Sequence, residues 1–228
     1  MVEVDCDLLI HACIFFKKII NEIVVLGKGI SKEQYFQKNN SFLDIENIML
    51  VNFRERDFHG DDLSYLINKK IHILFNICEP HLSETQIERL DIESVHIART
   101  KSMRFKKYGR RQTRRGNIYR KKIRYLSNQI NKYWYLNNTG LLGIAYASKV
   151  LKAKRIILFG FDFYQDEGFF NRPENSHIKG IHPGIDLKEA GEKIKLNFLD
   201  FVNDNPSVDY LICSKVDFQP TSNLHLIE

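Results

Sequence analysis

The sequence predicts an α/β protein of Rossmann-like form, with a mainly parallel sheet, helices on both of its faces and a lid segment. Three observations predict it. Strand-like and helix-like stretches alternate along the chain, several strand candidates are continuous Ile/Val/Leu runs, and one long aperiodic stretch rich in Gly, Pro, Asn and aromatics interrupts the pattern late in the sequence. Alternation of this kind favours parallel strands joined by helical crossovers, and strands apolar on every residue are those covered on both faces.

Taken in order, the expected strands are Glu22–Leu26, Asn47–Asn52, Lys70–Phe75, Ser94–Ile97, Arg155–Phe159 and Asp209–Cys213. Helices are expected at Lys32–Gln37, around Tyr119–Tyr133, at Leu141–Leu151 and at Leu187–Val202. In the last of these Leu187, Ala190, Ile194, Phe198 and Phe201 make one apolar stripe at helical spacing. The aperiodic stretch, about 161–186, is the segment expected as the lid; a loop that long inside a compact domain is usually functional or disordered.

The 228 residues are 43% hydrophobic and 27% charged, which suits one domain spanning 1–228 with an ordinary core. Cys6, Cys13, Cys78 and Cys213 form no CxxC pair. That argues against a zinc ribbon or a disulfide framework and fits a reducing, cytoplasmic setting. The apolar run Leu8–Phe16 is broken by His11 and is too short to span a bilayer, so any membrane association would be peripheral.

Charge is distributed unevenly. Between Arg99 and Arg124 there are thirteen Lys/Arg and no Asp or Glu, so the rest of the chain carries −7 beneath an overall +6. Three readings of this basic segment compete: a surface for an anionic acceptor or an anionic membrane face, a nucleic-acid contact, or a solvated charged loop.

Residues that carry chemistry gather at the expected strand ends. The first strand runs into Gly27-Lys28-Gly29-Ile30-Ser31, a glycine turn opening a helix, where backbone N–H groups can hold a phosphate. Glycine at such a turn is equally explained by a need for positive φ. Asn52 and Asn76 close the second and third strands; asparagine there also serves loops simply by satisfying backbone. Further on come Asn138-Thr139-Gly140, then Gly160-Phe161-Asp162-Phe163-Tyr164-Gln165, then Asn175-Ser176-His177 and His182, and finally Asp186-Leu187-Lys188 opening the long helix.

This ordered set resembles the bacterial sialyltransferases of glycosyltransferase family 42 and, more loosely, the related flagellin-glycosylating factors. The likeness runs from about Ile23 to about Ser214, and its specific parts are the Gly160–Gln165 segment and the Ser-His, His and Asp-Leu-Lys series. The resemblance implies an inverting, metal-independent transferase that takes sialic acid or a related nonulosonate from a CMP-sugar and needs no cofactor. It implies that Gly27, Lys28, Gly29 and Ser31 surround the nucleotide phosphate and ribose, and that Asn52 and Asn76 contact the donor. Thr139, Gly140 and Asp162 are carried over as substrate-binding, Tyr164 as the hydroxyl donor to the leaving phosphate, and His182 as the general base. The spacing near His182 differs from the family's by one residue, so His177 stands as a rival base and otherwise as a substrate contact. Lys28 and Ile30 replace the family's Asn and Pro, and Phe170 stands where it has a second lid tyrosine. The implied acceptor is a cell-surface glycan or lipooligosaccharide, and family members often form homo-oligomers.

The chemistry explains the residue types. When a CMP-sugar breaks, charge collects on phosphate oxygens, and preorganised neutral donors can stabilise it without a metal. The one Asp-x-Asp string, Asp5-Cys6-Asp7, precedes the first strand and reads as incidental. Histidine, with an unperturbed pKa of about 6.5, is suited to take the acceptor's proton. Two other functions remain open at this level: a pyrophosphokinase-like enzyme on the same fold, needing Mg²⁺, and a nucleic-acid binder acting through the basic segment.

Overall fold

The computed structural model of the chain describes residues 20–53, 58, 61–75, 90–97, 123–125, 136, 138–165, 186–214, 216–219 and 221–227. Eight strands form one sheet: β1 (Glu22–Leu26), β2 (Asn47–Val51), β3 (Lys70–Phe75), β4 (Asp91–Ile97), β5 (Ile123–Tyr125), β6 (Arg155–Phe159), β7 (Asp209–Cys213) and β8 (Leu224–Leu226). Their spatial order is β5-β4-β3-β2-β1-β6-β7-β8, and every neighbouring pair is parallel. The helices are α1 (Lys32–Tyr35), α2 (Thr139–Lys149) and α3 (Leu187–Asn203).

The central strands are apolar throughout because both their faces are covered. Ile23, Val25, Met49, Val51, Ile156, Leu158, Tyr210 and Ile212 face one side, where Leu141, Leu142 and Ile144 of α2 and Phe198, Phe201 and Val202 of α3 pack on them. The alternate residues Val24, Leu26, Ile48, Leu50, Ile157 and Phe159 face the other side. There Tyr35 of α1 and Leu66 complete the layer, with Phe42 and Leu43 at its margin. Truncating a buried phenylalanine such as Phe198 to alanine typically costs about 3–5 kcal/mol, so α3 is a main anchor of its layer.

Strands β1, β3, β6 and β7 run over the residues expected from their apolar runs. The helix expected around Tyr119–Tyr133 is corrected: Ile123–Tyr125 is a strand, paired with β4 through Val95↔Ile123 and Ile97↔Tyr125. A β-branched and an aromatic residue bracket Arg124 there, and the open edge of β4 offers hydrogen bonds that local helical spacing does not foresee. Apart from Ile123 and Arg124, the basic segment 99–124 lies outside the described residues. Strand β8 was not expected either, and β4 begins three residues before the expected start.

The strand order reverses between β1 and β6. Chain order climbs outward from β1 to β5 on one side and from β6 to β8 on the other. The connections leaving β1 and β6 therefore continue to opposite faces of the sheet, and the carboxyl ends of the strands at such a switch point are where open α/β sheets place their ligands. Among the described residues no helix is long and apolar enough to cross a membrane.

Candidate functional site at the switch point

The turn after β1 and the turn after β6 are laced directly to each other. Gly27 N–H donates to the Phe159 carbonyl at 2.7 Å and Gly29 N–H to the Gly160 carbonyl at 2.9 Å. Ser31 N–H donates to Asp162 Oδ2 at 3.0 Å, and Gly160 N–H returns a bond to Ser31 Oγ at 2.9 Å. The approach is so close that a Cβ on Gly29 would fall 2.2 Å from Asp162 Oδ2. Gly160 itself holds a φ of 77°, a left-handed conformation open to glycine.

Three amides of the expected phosphate cradle have partners within the protein. The amides of Gly27, Gly29 and Ser31 are committed inside the protein, and the Asp162 carboxylate stands where an anion would have met the last of them. Ser31 and Asp162 are both buried, and buried amides must find partners. Two turns from adjacent strands satisfy each other before any ligand arrives. Helix α1, four residues long and without a side-chain cap bond from Ser31, adds no helix-end field of consequence.

Further polar groups at the switch point lie at the start of α2. Asn138 caps this helix: its Oδ1 accepts from Leu141 N–H at 3.2 Å, and its carbonyl from Leu142 N–H at 3.0 Å. The amides of Thr139 and Gly140 begin the helix, where geometry gives them no intrahelical partner. Gly140 lets the helix start lie against Phe161, since a Cβ there would come within 2.8 Å of its ring. Asn138 Nδ2 donates to the Tyr164 hydroxyl at 3.4 Å, tying the cap of α2 to the turn after β6.

Tyr164 reaches that position through an unusual backbone. Phe163 and Tyr164 both lie in the left-handed region, at φ of 48° and 58°. Each such residue costs about 1–3 kcal/mol and persists only when its surroundings enforce it. The enforcement is visible. The Phe163 ring packs against Phe198 and Phe218, with centroids 5.5 and 5.4 Å away, and Gln165 N–H closes the turn on the Asp162 carbonyl at 2.9 Å. Burial pushes the Tyr164 phenol above its ordinary value, partly opposed by the Asn138 hydrogen bond, so the hydroxyl keeps its proton at neutral pH. Its oxygen is the acceptor toward Asn138.

Ser214, at the carboxyl end of β7, supports the same turn. Its Oγ lies 3.2 Å from the Phe161 carbonyl and 3.3 Å from Asp162 Oδ1, and it accepts from Val216 N–H at 3.1 Å. Asp162 thereby joins the ends of β1, β6 and β7.

Of the residues singled out in the sequence, Gly27, Gly29, Ser31, Asp162, Gly140 and Tyr164 are brought together at the switch point by these contacts, and Thr139 opens α2 beside them. Lys28 sits partly exposed on the β1 turn. Asn52 stands at the end of β2 with a φ of 58°, its N–H donating to the Leu74 carbonyl at 2.8 Å. Asn76, His177 and His182 lie outside the described residues, as does most of the expected lid. Asp186, at the lid's end, caps α3 by accepting from Lys188 N–H at 2.8 Å and Glu189 N–H at 3.1 Å. Asn138 was read only as part of its motif, without a role of its own, and two further contributors escaped sequence reading. Asn138 carried the signal of an N-cap before an apolar helix, and Ser214 that of a polar residue ending a strand. Lys32, buried with its ammonium 5.6 Å from the Phe53 ring centroid, carried no signal in a helix start of ordinary composition.

No family model, no curated protein and no solved structure matches this chain.

Proposed function

We propose that the chain is an inverting glycosyltransferase that moves sialic acid or a related nonulosonate from a CMP-sugar to a glycan acceptor, without a metal. The observation that carries this reading is the Tyr164 hydroxyl, held by Asn138 at the start of α2 and beside the sheet's switch point. A protonated phenol, a side-chain amide and the first amides of an eleven-residue helix make a set of neutral donors. Such a set suits an oxygen that gains negative charge as a bond to it breaks. In this reading the departing phosphate meets Tyr164 and the start of α2, while the glycine turn after β1 supports it from below.

The acceptor hydroxyl loses its proton as it attacks the anomeric carbon, and His182 or His177 takes it. A single displacement assisted by one base inverts the configuration. The acceptor class is a cell-surface glycan or lipooligosaccharide, and the cation-rich segment 99–124 would raise the local concentration of a phosphorylated one.

Calorimetry with CMP, with and without EDTA, tests the donor site, and the expected result is binding that the chelator leaves unchanged. A CMP signal abolished by EDTA would favour a Mg²⁺-dependent phosphate-transfer enzyme. Silence toward CMP together with salt-sensitive binding of duplex RNA would favour the nucleic-acid reading. For the base, His182→Ala is expected to abolish transfer while CMP still binds; if His177→Ala does so instead, the base is His177.

A further inference from the structure

Helix α3 meets the turn that carries Tyr164 at a point where no side chain fits. A Cβ on Gly191 would fall 1.9 Å from the Phe163 carbonyl oxygen, 3.1 Å from its carbon and 3.5 Å from Tyr164 Cβ. The nearest obstacle is backbone, which cannot swing aside as the end of a long side chain would. Two helical turns further along, Phe198 packs on the ring of the same Phe163. One residue further along the helix and two further along the turn, Gln165 Nε2 donates to Glu192 Oε1. Helix α3 therefore grips this turn three times: at the Phe163 carbonyl, at the Phe163 ring and at Gln165.

Glycine inside a helix is unfavourable relative to alanine, because it adds backbone freedom to the unfolded chain and packs nothing. Gly191 nonetheless sits in the interior of α3, buried, on a helix otherwise rich in Lys, Glu and Leu. The close approach to Phe163 supplies the physical reason. We propose that Gly191 is a positioning residue for Tyr164: the bare helix surface at this point seats the Phe163 carbonyl and so sets where the tyrosine hydroxyl stands relative to Asn138. The inference deepens the proposed function, because it concerns the residue assigned to the departing phosphate.

The two simple expectations for Gly191→Ala have opposite signs. Were Gly191 merely a weak helix residue, alanine would raise the melting temperature and leave Tyr164 untouched. As a positioning residue, its replacement moves Tyr164. The experiment uses the full chain labelled with 3-fluorotyrosine, its Tyr164 resonance assigned by Tyr164→Phe. Gly191→Ala is expected to shift that resonance and to lower the pH at which it titrates, while most other tyrosine resonances stay in place. Leu196→Ala, an exposed position on the same helix, is the control expected to change nothing at Tyr164. A Tyr164 signal that is unmoved and titrates as before in Gly191→Ala overturns the proposal. If Gly191→Ala does not fold, the unsubstituted chain still decides. A nuclear Overhauser contact between the Gly191 Hα protons and the Tyr164 Hβ protons supports the placement, and its absence overturns it. None of these readouts needs a ligand, so a chain that ignores CMP would defeat the proposed function while leaving this answer intact. Where transfer is measurable, a displacement of about 1 Å at the reacting phosphate is expected to cost about 100-fold in kcat with CMP affinity nearly unchanged.

Discussion

Asn138 and Tyr164 lie 26 residues apart in sequence, and the side-chain amide of the first donates to the hydroxyl of the second at 3.4 Å. The contact joins the start of α2 to the turn leaving β6, so one asparagine both caps a helix and orients a phenol. These two duties can be separated by substitution.

Asn138→Asp retains an oxygen that can accept Leu141 N–H but lacks the amide that reaches Tyr164. Thermal stability is expected to remain close to that of the parent, while transfer falls. Asn138→Ala loses the cap as well and is expected to lose about 1 kcal/mol. Paired melting curves and single-turnover transfer assays distinguish the two effects. Equal activity in Asn138→Asp and the parent would argue that the amide contact has no catalytic meaning.

Tyr164→Phe removes the hydroxyl and little else. The left-handed turn is held by Phe163 and its neighbours, so folding should survive. Loss of one preorganised donor is expected to lower kcat by about 100-fold, equivalent to about 3 kcal/mol in the transition state. An unaltered rate would argue against the proposed contact between Tyr164 and a departing phosphate.

Asp162→Ala strips the buried Ser31 amide of its acceptor and the Ser214 hydroxyl of one of its partners. An unsatisfied buried donor costs about 1–3 kcal/mol, so the urea midpoint should drop by a corresponding amount. Asp162→Asn keeps one oxygen and is expected to fall between. A midpoint unchanged by alanine would mean that the turns after β1 and β6 do not depend on this lacing.

Alkaline pH should destabilise the fold in steps. Burial, aided by the charge of Asp162, pushes the Cys213 thiol from its ordinary 9.0 up to about 11, and burial raises the phenols of Tyr35 and Tyr164 as well. In each case the folded state favours the protonated form and the unfolded chain gives up its proton at lower pH. The Cys213 contribution is therefore whole below pH 9.0 and lost as pH rises through about 11, and the tyrosine contributions begin to fall above 10.0. Urea unfolding stepped through this range should show stability declining, with the first part of the decline removed by Cys213→Ala.

Much of this architecture could be read from local sequence. In β1, β6 and β7 a run of β-branched and aliphatic residues is bounded by polar or turn residues, so type and limits were both legible. The stripe on α3 located its buried face, since Phe198 and Phe201 are fully or almost fully buried. Strand β5 was not legible. Three residues at the end of a cationic stretch carry no period, and only pairing with the edge of β4 makes them a strand. The glycine turn was legible as a turn, but the partners of its amides were not. Those partners are the Phe159 and Gly160 carbonyls and the Asp162 carboxylate, at the end of β6 and in the turn after it, more than a hundred residues later.

Sequence alone determined that this chain builds a parallel sheet and that Gly27–Ser31 and Gly160–Gln165 stand at strand ends, because apolar runs and glycine turns are local patterns. Tertiary structure alone decided that these two segments are neighbours, that they satisfy each other's hydrogen bonds, and that Tyr164 is aimed at Asn138 by a helix with no side chain at Gly191. The physical reason is that strand order and close backbone approach depend on contacts between residues distant in the chain.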